Sequence, residues 1–434
     1  MINPRKIAVQ ALLQVDQSEG YSNLVLDAAV KSKEISQRDK ALATALFYGV
    51  LERKISLDYI ISQYAKNDIR KIPPFTLECL RLGIYQLKFM DKIPDSAAVN
   101  ETVKLVKDSR EKYASGFVNA VLRNIQRNDI RLPEDNSVNS LSIKYSCPVW
   151  LIESLIADYG LERAIAFLED SLKSPPQYIR VNTLLSNENE LIKEFENIGI
   201  TAEGKVLPGA LCVRGLQNIE YSHLFNSGLF HVQDLSSQIC AAALDCKPGQ
   251  RVLDLCAAPG GKSFTIAQHM NNTGELISCD LHQNRLGLIK EGAKRLKLSN
   301  IKVLQNDATQ FNPAFGEFDR VLCDVPCSGF GIIRRKPEIK YKSREDVDGI
   351  CDIQYKILSN AVKYLIKGGR LIYSTCTLRK AENEQVCEKL LGQCPDIEYD
   401  SISIEGIAKG ISSITLFPEM FGSDGFFIAA FKRI

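Results

Sequence analysis

Apolar positions in the first third of the chain recur with the period of a helix. Ile7, Ala8, Ala11, Leu12 and Val15 form one stripe, and Leu42, Ala45, Leu46, Val50 and Leu51 a second. Leu80, Ile84 and Leu87 continue the pattern, as do Phe117, Val118, Val121 and Leu122. Breaks fall at Ser18-Glu19-Gly20, at Pro73-Pro74 and at Pro94. Few β-branched residues alternate with polar ones, so residues 1–130 read as an all-helical domain whose last helix ends near Ile125.

The pattern then changes twice. Residues 127–142 are polar, with Pro133, Asn136 and Asn139, and read as a linker. Amphipathic helices are predicted over 150–159, 161–172 and 188–198, with a strand at 178–183 and shorter strands broken by Gly204, Pro208-Gly209 and Gly215. Residues 140–232 thus read as a small α/β domain. From Gln233 onward, apolar strands are predicted at 251–255, 275–279, 301–305, 319–323, 369–374 and 426–431, with helical segments between the first five. Alternating strands and helices predict a mostly parallel, doubly wound sheet. The expected fold class is α/β, with a Rossmann-like domain over 233–434.

Composition adds limits. The 434 residues are 45% hydrophobic and 24% charged, enough for each domain to bury its own core. The net charge of +2 says nothing about partners. Residues 1–130 carry 20 Lys/Arg against 15 Asp/Glu. That fits a nucleic-acid-binding module, and fits a neutral helical domain with solvated lysines almost as well. Thirteen cysteines, odd in number and without a CxxC pair, argue against a disulfide scaffold, and the four histidines do not sit at zinc-ligand spacing. Free thiols, no visible secretory signal and no apolar run of spanning length lead us to expect a cytoplasmic protein without membrane or metal.

The run Val252-Leu-Asp-Leu-Cys-Ala-Ala-Pro-Gly-Gly-Lys262 closes a predicted strand and opens a helix. Glycines at such a turn let a ligand approach the backbone, with helix N-terminal N–H groups exposed to it. Asp280 ends the next strand, about 20 residues on, where an acid can accept hydrogen bonds from ribose hydroxyls. With Asp254, Asp307 and Asp324, four acids stand at the carboxyl ends of successive strands. The turn lacks the GxGxxG of nicotinamide-binding folds. S-adenosylmethionine has a ribose and adenine but no phosphate, and is the expected cofactor.

Asp324-Val-Pro-Cys-Ser-Gly329 follows the fourth strand and Ser374-Thr-Cys-Thr377 the fifth, with Glu382-Asn-Glu384 opening the next helix. Most free cysteines are inert apolar residues, but Cys327 and Cys376 fall in loops at the ligand-binding edge. Cytosine carbon 5 is a poor nucleophile. A thiolate adding to carbon 6 makes it enamine-like and able to attack a sulfonium methyl group, after which a base removes the carbon-5 proton and the thiolate leaves. Cys376, Cys327 and Asp324 can supply the thiol, the route for elimination and the acid near N3/N4. Methylation of an exocyclic amine needs no cysteine.

These three motifs resemble the signatures of the NOL/NOP2/Sun family of RNA cytosine-C5 methyltransferases. The resemblance implies that Cys376 is the nucleophile and that Cys327 assists product release. It implies cofactor contacts from Cys256, Ala257, Ala258, Pro259, Gly260, Gly261 and Lys262, and from Asp280, Asp307 and Asp324. Ser423-Asp-Gly-Phe-Phe-Ile-Ala429 resembles the family's closing strand. The basic stretch Arg334-Arg-Lys-Pro-Glu-Ile-Lys-Tyr-Lys342 is expected to meet RNA phosphates, although Tyr341 stands where the family often has Trp. Arg5-Lys-Ile-Ala-Val-Gln-Ala-Leu-Leu13, Arg38-Asp-Lys-Ala-Leu-Ala-Thr-Ala-Leu-Phe-Tyr-Gly49 and Phe117-Val-Asn-Ala-Val-Leu-Arg-Asn124 resemble the NusB-like domain fused to bacterial, Sun-type members. Their implied substrate is 16S rRNA, free or in an early small-subunit assembly intermediate, the conventional target cytosine 967, and the expected state a monomer. Two other readings stay open: a non-catalytic RNA-binding or antitermination module on a relic fold, and methylation of tRNA.

Overall fold

The computed structural model describes every residue except 1, 2, 18–21, 32–34, 66, 67 and 217; the expected break at Ser18-Glu19-Gly20 lies outside the described residues. The chain forms two compact units, Met1–Lys173 with Ile333–Lys342, and Ser174–Ile332 with Ser343–Ile434.

The first unit is helical. Helices Pro4–Gln17, Ser22–Lys31, Gln37–Tyr64, Pro74–Phe89, Asp95–Lys107 and Ser115–Arg127 bury the predicted stripes, among them Ile7, Leu12, Leu46, Val50, Leu80, Ile84, Val118 and Leu122. Ser36 caps the long helix by accepting from the Asp39 N–H, and Pro74 starts its helix where no N–H is needed. The stretch expected as a linker differs at its end. Ser137 caps a helix over Val138–Tyr145, and Asp135 accepts from the Ser137 N–H and the Ser140 hydroxyl. Two further helices follow, Val149–Tyr159 and Leu161–Asp170.

Residues Ile333–Lys342 complete this unit, and two cations of the basic stretch, Arg334 and Lys340, are taken up inside it, whereas Arg335 and Lys336 are half-buried and Lys342 is exposed. Lys340 is 2% exposed and donates to the Glu52 carbonyl (2.7 Å). Burial lowers its pKa to about 8. The Tyr341 hydroxyl donates to the Leu51 carbonyl (2.8 Å) and lies 3.1 Å from the Ser146 hydroxyl, while Arg334 pairs with Asp170 at 2.8 Å. A cation with an internal partner and no solvent contact cannot neutralise a phosphate.

In the second unit, β1 (Gln177–Val181), β2 (Thr201–Gly204), β3 (Ala210–Arg214) and β4 (Phe230–Val232) form an antiparallel sheet in the order β2-β3-β1-β4. Helix Glu188–Asn197 contributes Leu191 and Phe195 to the core that holds Ile179, Val181, Leu211, Val213 and Phe230. The larger sheet is built on β5 (Arg251–Asp254), β6 (Glu275–Asp280), β7 (Ile301–Gln305), β8 (Phe318–Asp324) and β9 (Leu365–Thr375). These run parallel in the order β7-β6-β5-β8-β9. Their apolar side chains divide between two buried layers: Val252, Leu276, Leu322 and Ile372 in one, Leu253, Ile277, Val321 and Leu371 in the other. Burial on both faces is why β5, β6, β8 and β9 carry runs of apolar residues rather than alternating ones, while the edge strand β7 has no buried residue.

The C-terminal part adds β10 (Ile397–Tyr399), β11 (Ile402–Ile404), β12 (Ala408–Ile411), β13 (Ser413–Leu416) and β14 (Phe426–Arg433). β14 runs antiparallel to β9, and its other edge pairs β13 near its start and β10 near its end. β11 and β12 pair only with each other. From β5 the sheet grows outward through β6 and β7, and the chain then returns to β8 on the other side of β5. The crevice at the carboxyl ends of β5 and β8 is therefore the topological switch point, where open α/β sheets bind ligands.

Candidate active site

Two acids stand at that switch point. Asp254 ends β5 and Asp324 ends β8, and Lys262, in the first turn of helix Gly261–His269, reaches between the strands. Its ammonium donates to Asp324 Oδ2 at 2.7 Å and to the Ser237 hydroxyl at 3.3 Å, and lies 5.0 Å from the centre of the Phe426 ring. Burial works to lower the lysine's pKa, but the Asp324 carboxylate outweighs it and the pKa rises. Asp324 Oδ1 accepts from the Ser374 hydroxyl at 2.9 Å, tying β8 to β9.

The turn between β5 and this helix needs its glycine. Gly260 sits at φ +111°, and a Cβ there would lie 2.5 Å from the Phe264 ring. Next to the turn is a cavity of about 180 Å³ lined by Asp254, Cys256, Ala257, Ala258, Pro259, Gly261, Lys262 and Asp324. Gln233, Asp234 and Ser237 line it from the other side and were not singled out from the sequence. Asp234 caps helix Leu235–Ala243, and its Oδ1 also accepts from the Asp424 N–H (3.1 Å), drawing in the loop before β14. An Asp two residues before Ser reads locally as a plain helix cap, so only its distant partner marks it.

The predicted acids do not all meet. Asp280, at the end of β6, is buried, accepts from the His282 N–H at 2.9 Å and pairs with Arg285 at 3.3 Å. Asp307 lies two residues past β7, and the Thr309 hydroxyl, 2.7 Å away, is the main cause that lowers its pKa. Neither these two nor Gly260 lines the cavity. Asp254 is 1% exposed; Oδ2 accepts from the Ser263 hydroxyl at 2.6 Å, while Oδ1 has no partner. Burial pushes its pKa up to about 7. An unpartnered buried carboxylate oxygen on a ligand-sized cavity suits a cationic ligand group.

The two loop cysteines converge beside these groups. Cys327 Sγ and Cys376 Sγ lie 3.2 Å apart, although 49 positions separate them in sequence. The hydrogen bond to Cys376 first, and burial second, push the Cys327 thiol well up, so it keeps its proton at neutral pH. The Gly331 N–H donates to the Cys376 carbonyl, and the Gly425 N–H to the Gly331 carbonyl, both at 2.9 Å.

The sequence profile described as 16S rRNA methyltransferase RsmB/F matches residues 241–432. The NusB family profile matches residues 2–127, and that of the RsmF/B-like ferredoxin-like domain residues 147–220. A Bacillus subtilis protein named probable ribosomal RNA small subunit methyltransferase B is 38% identical, covering 99% of this chain and 98% of its own. The chain belongs to the RsmB/F family of 16S rRNA methyltransferases. Its domain order is therefore a NusB-like helical domain, a small ferredoxin-like domain and a Rossmann-like methyltransferase domain. The crystal structure of PH0851 superposes with a TM-score of 0.83 over 100% of this chain and 99% of that one, at 26% identity. NSun6 from Pyrococcus horikoshii, solved with SFG, shares the fold at a TM-score of 0.61 over 66% of this chain and 98% of that one, at 24% identity.

The cofactor of this RsmB/F methyltransferase is S-adenosylmethionine. The cavity fits it. The Asp254 oxygen and the Gln233 amide nitrogen without partners would offer it a hydrogen-bond acceptor and a donor, and the acid-lined wall would suit its positive charge. Among the described residues no cluster of three His, Cys, Asp or Glu side chains could hold a metal ion, and no helix is long and apolar enough to cross a membrane.

Proposed function

We propose that this methyltransferase modifies carbon 5 of a cytosine in 16S rRNA, conventionally cytosine 967, through a covalent bond between Cys376 and carbon 6. The observation that carries this reading is the pair of thiols 3.2 Å apart beside the Lys262–Asp324 pair. Methylation of an exocyclic amine would leave both without a task.

S-adenosylmethionine, when bound, supplies an electrophilic methyl group. Cys376, as thiolate, forms the sulfur–carbon-6 bond, and the electron pair displaced from the 5,6 double bond makes carbon 5 nucleophilic. As negative charge builds toward N3, Asp324 hands N3 a proton taken from the Lys262 ammonium that donates to it, and the proton returns to that pair when the 5,6 double bond re-forms. Once carbon 5 carries the methyl group, a base takes its proton, the 5,6 double bond re-forms and the sulfur–carbon bond breaks. Cys376 leaves with the bonding pair. The protonated Cys327 thiol donates a hydrogen bond to that departing sulfur, which lowers the cost of its charge. The target base must be splayed out of its helix to reach the sulfur, so a loop or single-stranded site is expected.

On this reading residues 1–130 grip RNA, residues 140–232 form a small α/β domain, and residues 233–434 carry the chemistry. The protein acts as a cytoplasmic monomer on free 16S rRNA or an early small-subunit intermediate. Bisulfite sequencing of rRNA from cells carrying only Cys376→Ala tests the nucleophile. The expected result is complete loss of 5-methylcytosine at the target; a retained signal there removes Cys376 from the mechanism.

A further inference from the structure

The two residues that open the motif Glu382-Asn-Glu384 touch neither sulfur, yet between them they hold both cysteine loops. Glu382 is wholly buried. Its Oε2 accepts from the Ser328 N–H (2.8 Å) and from the Gln354 side-chain amide (3.1 Å). That same amide donates to the Pro326 carbonyl at 3.0 Å. The carboxylate thus fixes the residues on either side of Cys327, one directly and one through Gln354. Its Oε1 pairs with Arg379 at 3.3 Å, which in turn pairs with Asp348 at 2.6 Å, so the buried charge is compensated.

Asn383, also wholly buried, repeats this arrangement on the other loop. Its Oδ1 accepts from the Thr375 hydroxyl, and its Nδ2 donates to the Thr377 carbonyl at 3.0 Å. These are the residues on either side of Cys376. The Ser328 and Thr377 hydroxyls, 2.8 Å apart, close the ring.

We propose that Glu382 and Asn383 are positioning residues that set the separation of the two thiols: one backbone turn clasps the flanks of Cys327 and of Cys376 and fixes them relative to each other. The inference rests on the two-thiol reading above. The separation matters because Cys376 must carry the base while Cys327 stays within hydrogen-bond reach of the same sulfur. A displacement of about 1 Å at such a site costs on the order of 10²-fold in rate. Each clasp side chain is bonded at both of its polar atoms, so the distance is held by directional hydrogen bonds rather than by packing alone.

Phenylarsine oxide reads the separation without RNA. It condenses with two neighbouring thiols, forming two arsenic–sulfur bonds and releasing one water, and peptide mapping identifies a Cys327–Cys376 bridge. The full-length protein, Glu382→Gln, Asn383→Asp, Thr375→Val and Thr375→Ser are compared, each with its Tm, its kcat and its KM for S-adenosylmethionine. Glu382→Gln places an amide N–H against Arg379, Asn383→Asp places an oxygen against the Thr377 carbonyl, and Thr375→Val removes the Asn383 arm from its other end. In these three, bridge formation and kcat are expected to fall together by about tenfold or more, with KM within about twofold of wild type. Thr375→Ser, which keeps the hydroxyl, retains wild-type bridging. If a variant at Glu382 or Asn383 unfolds, Thr375→Val against Thr375→Ser decides. Wild-type bridging in variants of reduced kcat overturns the proposal, as does wild-type kcat in variants that no longer bridge. Failure of the nucleophile reading shows separately, as methylation by Cys376→Ala with the bridging results unchanged.

Discussion

At the scale of single residues, the cavity proposed for the cofactor is governed by one carboxyl group. Asp254 has a free buried oxygen, and burial raises its pKa to about 7. Below pH 7 it is protonated and accepts from an ammonium group only as a neutral carbonyl; above it, the carboxylate makes the stronger, charge-assisted bond. Affinity for S-adenosylmethionine is therefore expected to rise by up to about tenfold per pH unit toward pH 7 and to level off above it. In Asp254→Asn that slope disappears and binding is weaker at every pH above 7. Calorimetric titrations between pH 5.5 and 8.5 check this, and a wild-type affinity flat across that range contradicts it. The sign for stability is opposite. The native protein binds the proton that the unfolded chain loses near pH 4, so this group's contribution falls as pH rises from about 4 to 7.

At the scale of elements, the site is a junction of three loops more than of the strands that carry them. Gly331 is where they cross. A Cβ there would lie 2.0 Å from the Gly425 carbonyl oxygen and 2.8 Å from that of Cys376, both backbone atoms that no rotamer change can move. Gly331→Ala is expected to cost about 2 kcal/mol or more in chemical denaturation and to abolish methylation, while Gly287→Ala, with open space around it, leaves stability near wild type. Equal denaturation midpoints for the two variants would show that the loops rearrange freely. The strands themselves were readable from the sequence: each predicted strand of the large sheet falls within two residues of its observed start except β9, which begins at Leu365. The linker prediction failed at Val138 because its helix is set by a serine cap and partners in the same unit, not by a long apolar stripe.

At the scale of the whole molecule, RNA affinity should lie in exposed cations, since Arg334 and Lys340 are consumed inside the helical unit. That unit has a groove of about 830 Å³ lined by Lys6, Lys104 and Arg110, among others. Of its acids, Glu111 is engaged by the Thr76 N–H at 2.8 Å and hydroxyl at 2.6 Å. Reversing Lys6 and Lys104 to Glu is expected to weaken binding of 16S rRNA fragments about equally whatever their sequence. It should also make the salt dependence shallower, by about 0.7 to 0.9 in log–log slope per lost phosphate contact. Fluorescence anisotropy at several salt concentrations measures both, and an unchanged slope would place the RNA elsewhere.

By itself the sequence determined the order of helical, small α/β and Rossmann-like parts, the parallel strands, the glycine-containing turn and the two cysteine motifs. These are properties of short windows: a helical or strand period, a turn residue, a run of motif letters. Only the tertiary structure decided which acids meet, that Asp254 keeps a free oxygen while Asp324 pairs with Lys262, and that Lys340 is buried and the Tyr341 hydroxyl bonded inside the helical unit. It alone brought two sulfurs 49 positions apart to 3.2 Å and placed Glu382 and Asn383 across their flanks. Those facts depend on distances between residues far apart in the chain, and such distances are fixed by how strands and loops pack, which no local pattern encodes.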